Sequence, residues 1–228
     1  MIKKVFIILS FVLLASWGIF FSAHAEGSVL DPAALLTERT KAVQLTIKKI
    51  TSASAPEEIK KTQEELKEEI NKLLDFDELA ERALGQHKQS LSEPQFKEFN
   101  ALLRELIERA YTGKIKSNAE FTFRITKKEV SADDAFVEMT AEAGDKSAKT
   151  AYRLHKKNGR WIAYDFIIED VSLVKQYKTQ FNKIISEQGF DTLLSKMRKK
   201  LEELVKSEEQ ENAKEEISGD KTTTSLKK

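Results

Sequence analysis

Through the first half of the chain, apolar residues recur every three or four positions among Lys and Glu, the pattern of helices with one buried face. Leu35, Leu36, Val43, Ile47 and Ile50 make the first stripe, behind Asp31-Pro32, an N-cap residue followed by proline at the first helical position. A second helix starts at Ser54-Ala55-Pro56 and carries Ile59, Leu66, Ile70, Leu73 and Leu74. Asp75 caps a short third helix with Phe76, Leu79, Ala80, Ala83 and Leu84, and Gly85 is placed to end it in a left-handed conformation. Ser92-Glu93-Pro94-Gln95 is a capping-box pattern. It opens the most apolar helix, with Phe96, Phe99, Leu102, Leu103, Leu106, Ile107, Ala110 and Tyr111 on its stripe and Gly113 at its end.

The period then changes from helix to strand. Phe121, Phe123 and Ile125 alternate with polar residues, and a second strand runs from Ala135 to Ala143. Two more, Thr150 to Lys156 and Arg160 to Ile168, flank Asn158-Gly159, a pair that suits the two left-handed positions of a tight hairpin. Glu169 and Asp170 fall in the turn that follows. Helix returns at Ser172, with Leu173, Tyr177, Phe181, Ile184 and Ile185 as its stripe, and Gly189 closes it. Asp191 caps a last helix bearing Leu194, Met197, Leu201 and Leu204. Residues 207–228 are charged and Thr/Ser-rich, with Ile217 and Leu226 the only large apolar residues, so they read as a disordered tail that cannot bury enough surface to order itself. Helices, a strand meander and helices again predict an α+β domain over residues 26–206, a four-stranded antiparallel sheet with flanking helices.

The N-terminus carries a different pattern. Lys3 and Lys4 precede an apolar run from Val5 to Phe21, and Ala23-His24-Ala25 offers a small-x-small cleavage site. That is the layout of a bacterial signal peptide over residues 1–25, which predicts a soluble periplasmic product starting at Glu26. The alternative is an uncleaved anchor, against which stands the lack of a basic stop-transfer cluster. Without Cys the chain has no acylated lipoprotein anchor, no disulfide and no thiolate chemistry. Losing residues 1–25 removes two Lys and takes the formal charge from +1 to −1, with both signs interspersed, so nucleic acid is not an expected partner.

Candidate chemistry is sparse. No P-loop, G-x-G-x-x-G, G-x-S-x-G or H-E-x-x-H motif occurs. His87 and His155 lie in different elements and read as solvated or locally bonded, with His155 between Arg153 and Lys157 on an exposed basic face. Asp165 lies inside the apolar strand Trp161 to Ile168 and needs a partner or a raised pKa. It is either a carboxylate bonded to nearby donors at the sheet edge, or an acid in a cone-shaped pocket working with Tyr164 or His155. In strict alternation Trp161, Ala163 and Ile167 face one way and Ile162, Tyr164, Phe166 and Ile168 the other. With both faces apolar, the sheet is either sandwiched by helices or wrapped around an apolar ligand cavity.

Three segments together carry a family resemblance: Leu74-Asp75-Phe76-Asp77-Glu78-Leu79-Ala80 with Ala83-Leu84-Gly85, the helix from Phe96 to Tyr111, and Trp161-Ile162-Ala163-Tyr164-Asp165 followed by Val171-Ser172-Leu173-Val174, Tyr177 and Gln180-Phe181. Over residues 30–205 the chain resembles the MlaC family, also called the toluene-tolerance family, of periplasmic phospholipid carriers. The resemblance implies a cone related to nuclear-transport-factor-2-like folds with a helical subdomain, and a deep cavity for acyl chains. It implies phospholipid as ligand, no cofactor, no metal, no catalytic residue and a monomer. The implied partners are an inner-membrane ABC transporter with an MCE-domain subunit and an outer-membrane lipoprotein–porin complex. A related branch accompanies hopanoid biosynthesis. Two departures stand out. Asp170 occupies the place where the family usually has Gly before Val-Ser, and His87-Lys88 stands where many members carry an aromatic pair. The expected cavity walls are Leu79, Leu84, Phe99, Leu103, Ile107, Phe123, Val137, Tyr152, Tyr164, Phe166, Val174, Tyr177 and Phe181, on the assumption that Tyr152, Tyr164 and Phe166 share one sheet face. A protein-binding adaptor whose apolar faces are only core is a third reading.

Overall fold

The computed structural model describes residues 31–53, 55–112, 122–143 and 145–224. The segment read as a signal peptide, Ser54, Gly113 and Phe121 lie outside them. Helix α1 (Pro32–Ser52) starts as its sequence requires: Asp31 Oδ1 accepts the Ala33 N–H at 2.9 Å, occupying a backbone donor that the first turn cannot satisfy. Helices α2 (Pro56–Leu73) and α3 (Phe76–Leu84) follow, then a 3₁₀ turn from Gly85 to Ser90 and helix α4 (Glu93–Thr112). Gly85 takes φ +56°, as expected, but with ψ −127° it leads into that turn instead of a simple left-handed cap. At the head of α4, Gln95 Oε1 accepts the Ser92 N–H at 2.9 Å, the backward half of a capping box.

The sheet has five antiparallel strands in the order β1-β2-β3-β4-β5: β1 (Thr122–Val130), β2 (Asp134–Ala143), β3 (Lys146–Lys157), β4 (Arg160–Ile168) and β5 (Val171–Ser172). Asn158 and Gly159 turn the β3–β4 hairpin at φ +52° and +74°. The fifth strand is a correction to the expected four. Only two residues long, it pairs Ile167 with Ser172 and Ile168 with Val171 across Glu169 and Asp170. Both turn residues take positive φ, +46° and +63°, so Asp170 adopts the conformation a glycine would accept more readily. Glu169 compensates by extending the ladder: its N–H donates to Lys149 O at 2.9 Å and its Oε1 accepts the Lys149 N–H at 2.7 Å.

Alternation along β4 also differs from expectation. The pairing of β3 and β4 slips between Arg153 and Leu154, which leaves Tyr164 as an extra residue in a bulge. Trp161, Ala163, Phe166 and Ile168 therefore lie on the face of Lys156, Leu154, Tyr152 and Thr150, while Ile162, Asp165 and Ile167 share the other with His155, Arg153 and Ala151. The inner face, with Val137, Met139, Leu154 and Ala163, joins one core with Leu79, Phe99, Leu103 and Ile107 of the helices. Each fully buried Leu, Ile or Phe in it contributes roughly 1.5–3 kcal/mol. The outer face of β1–β3 is laced with ion pairs, among them Arg124–Glu142 at 3.0 Å and Lys149–Glu138 at 3.0 Å.

Ser172 caps helix α5 (Leu173–Gln188) by accepting the Lys175 N–H at 3.0 Å, and Gly189 at φ +85° ends it. Helix α6 runs from Phe190 to Thr224, with Asp191 inside its first turn and not at the cap. It continues through residues 207–224, where the polar composition predicts no order. Absence of an apolar stripe speaks to burial alone. The stretch from Glu208 to Glu216 is made mostly of good helix formers and extends a helix that is already nucleated, which carries on through the weaker formers Ser218, Gly219, Asp220 and Thr222. Glu208 also ion-pairs with Arg109 of α4.

Candidate functional site

Helices α1 and α2 form an antiparallel pair, a roof over one end of the inner sheet face, and a partly open cavity of about 260 Å³ lies between them and the sheet. Thr40, Val43, Gln44 and Ile47 face it from α1 at helical spacing, and Leu66, Ile70, Leu73 and Leu74 from α2 and its C-terminus. Phe123, Tyr152, Phe166 and Leu173 complete the walls. Tyr152 and Phe166 are register partners whose rings lie 4.9 Å apart, an aromatic cross-strand pair that forms the floor. The bulge at Tyr164 is what brings Phe166 there. In unbroken alternation from inward-facing Ala163, Phe166 would point away.

The roof is held at both ends. At the start of α1, Lys128 Nζ lies 2.7 Å from Asp31 Oδ2. At the end of α2, Leu74 bridges to Ala163 and the Asp75 N–H donates to Ala163 O at 2.7 Å. Asp75 is buried, with His155 Nε2 at 3.0 Å from Oδ2, Lys157 Nζ at 3.0 Å from Oδ1 and the Glu78 N–H donating to Oδ1 at 3.3 Å. Burial raises the Asp75 carboxyl, but the bonds from Lys157, Glu78 and His155 outweigh it and hold the group below its ordinary value. The same bond from Asp75 raises the Lys157 ammonium.

Of the residues expected to line a cavity, Phe123, Tyr152 and Phe166 do so here. Leu79, Leu84, Phe99, Leu103, Ile107 and Val137 are at most 1 % exposed and belong to the packed core. Val174 and Phe181 are buried in the same core, with Phe181 edge-on to Phe99 at 5.3 Å and stacked on partly buried Tyr177 at 5.2 Å. Tyr164 lies elsewhere, covered by the Arg82 guanidinium at 4.0 Å and edge-on to His155. The shared face therefore holds for Tyr152 and Phe166 and fails for Tyr164, because the bulge takes it out of register. The α1 and α2 residues were missed as walls although their stripes were legible. Periodicity marks a face as buried without saying whether it meets atoms or space.

Asp165 is committed to structure. Its Oδ2 accepts the Ser172 hydroxyl at 2.7 Å and its Oδ1 the Val174 N–H at 3.0 Å, tying β4 to the start of α5. Arg153 Nε lies 3.7 Å away. His155 is bound to Asp75 instead, so the polar groups considered for a catalytic centre are not assembled around Asp165. Among the described residues no cluster of His, Asp or Glu suits a metal ion.

The architecture is that of an α+β binding protein, with an apolar cavity between a helical hairpin and an antiparallel sheet. Residues 40–199 match the model of the family described as MlaC protein, and the chain belongs to that family. It is 26 % identical over 122 residues to the intermembrane phospholipid transport system binding protein MlaC of Haemophilus influenzae, an alignment spanning 51 % of this chain and 57 % of that relative. Its fold is similar to that of a phospholipid-binding protein from Ralstonia solanacearum solved in complex with a phospholipid. The TM-score is 0.68 at 21 % identity, over 77 % of this chain and 99 % of the other.

Proposed function

We propose that this chain is a periplasmic lipid carrier. Exported by cleavage after Ala25, it takes phospholipid acyl chains into its cavity and shuttles lipid between outer and inner membrane, which sustains outer-membrane asymmetry. The observation that carries this reading is the cavity of about 260 Å³ with almost wholly apolar walls, in a chain of the MlaC family. The Haemophilus relative's role in phospholipid transport supports it, as does the phospholipid seated in the Ralstonia fold.

The physical task is to hide hydrocarbon. A diacyl lipid has about thirty methylenes, each costing about 0.8 kcal/mol when left in water. A carrier must bury most of them, yet hold them no better than a bilayer does or it would not let go. The cavity lies just below the roughly 300–1,000 Å³ usual for ligand pockets, so loading a whole lipid parts the α1–α2 roof from the sheet. No bond is made or broken. On this reading the protein acts as a monomer, with bound phospholipid as its ligand and no cofactor. It docks in turn on an outer-membrane lipoprotein–porin complex and an inner-membrane ABC transporter with an MCE-domain subunit. Denaturing extraction of the purified protein followed by mass spectrometry tests it: phospholipid approaching molar stoichiometry is the expected result. Protein that carries none and takes none up from phospholipid vesicles refutes the reading.

A further inference from the structure

One residue of the cavity wall has hydrogen-bonding capacity that the protein leaves unused. Gln44 lies on α1 one turn after Thr40, lines the cavity, is partly buried, and has no hydrogen-bond partner among the described residues. Its polar neighbour is already engaged: the Thr40 hydroxyl donates to Leu36 O at 2.7 Å. Tyr152, the other wall residue with a polar tip, packs its ring against Phe166. Val43 and Ile47, on either side of Gln44 along the same stripe, offer hydrocarbon only.

Acyl chains that fill the cavity take away the water the Gln44 amide meets there. Once acyl chains displace that water, the amide either finds a new partner or forfeits its hydrogen bonds, and an unmade bond there counts against the complex. We propose that Gln44 donates an Nε2–H to an acyl ester carbonyl of the bound lipid, so that the site selects ester-linked lipids over ether-linked lipids and hydrocarbons of the same shape. The proposal rests on the carrier reading and adds a recognised chemical group to it. The ester carbonyl is the polar atom closest to the acyl chains, so it arrives where an amide flanked by Val43 and Ile47 can meet it. An ether lipid has the same chains and headgroup but lacks that carbonyl. A site built around one donor rejects the analogue that leaves it unpaired.

The test offers delipidated protein an equimolar mixture of diester and diether phosphatidylcholine of identical chain length in vesicles, and counts the bound lipids by mass spectrometry. The native protein is expected to hold the diester over the diether by about tenfold, the ratio one hydrogen bond sustains. Gln44→Leu and Gln44→Met, both compatible with a helix, are expected to bring that ratio near one. A native ratio near one overturns the proposal, whatever the variants do. So does a folded variant that keeps the native preference. Native protein that binds neither lipid sinks the carrier reading along with it, which separates that failure from a mere absence of ester selectivity.

Discussion

Asp170 shows what a single backbone angle costs. At φ +63° it holds a conformation natural to glycine, and its carboxylate returns only an exposed contact to Lys149 at 3.3 Å. Asp170→Gly removes the strain but adds freedom to the unfolded chain, so the expected net gain is small, about 0.5 kcal/mol. Asp170→Val forces a β-branched side chain into the left-handed region and is expected to lose about 1–2 kcal/mol. Denaturant melts of both variants check the order Gly above native above Val. Asp75 works in the opposite direction, because its buried carboxylate joins the head of α3 to β3 through Lys157 and His155. Asp75→Ala removes an N-cap and a bonded carboxylate together, an expected loss of about 2–4 kcal/mol. Since the folded state holds this carboxyl below its ordinary value, its contribution is complete above the unfolded pKa of about 3.9 and fades as pH falls through the lower folded value. The stability gap between native protein and Asp75→Asn should therefore narrow as pH falls below 4. A gap that widens below pH 4 would reverse the sign.

At the scale of elements, α6 separates propensity from packing. Its first half places Leu193, Leu194 and Met197 in the core, whereas beyond Ser207 it offers the ion pair of Glu208 with Arg109 of α4. Partly exposed pairs of this kind contribute about 0–1 kcal/mol. Ending the chain at Lys206 is expected to lower the melting temperature by a few degrees at most and to leave bound lipid unchanged. The same truncation is expected to lower total helical ellipticity, because residues 207–224 continue α6. A truncated protein with undiminished total ellipticity would return residues 207–224 to disorder.

For the molecule as a whole, the cavity and the core respond differently to one insult. Ile47 is a cavity wall, so Ile47→Asp has free volume and water within reach, and the protein is expected to fold without copurifying lipid. Leu103 is fully buried among packed atoms, and Leu103→Asp puts a charge where neither is available. That cost exceeds the 5–15 kcal/mol margin of a typical domain or consumes much of it, so this variant is expected to unfold. Circular dichroism melting and lipid content on the same samples decide it. A folded Ile47→Asp that retains its lipid would move the binding site away from this cavity.

Local chemistry was legible in the residues themselves. Asp31 and Asp75 cap the helices they were expected to cap, helix returns at Ser172 as expected, and Asn158-Gly159 turns the expected hairpin, because a cap or a tight turn is decided by the few residues that make it. The α+β order was legible too, since a change of apolar period from helix to strand needs no knowledge of distant contacts. The two-residue strand β5 escaped notice because its pairing comes from the left-handed turn at Glu169-Asp170 and not from any run of strand formers. The bulge at Tyr164 escaped alternation for a related reason: it exists only as a slip against β3, and that slip sends Phe166 inward and Tyr164 to Arg82. The sequence by itself therefore determined the apolar faces of the helices and where helices α1, α3 and α5 begin. Only the tertiary structure decided which buried residues face one another and which face the cavity, because an apolar stripe marks a side chain as withdrawn from bulk water without saying whether atoms or a cavity lie beside it.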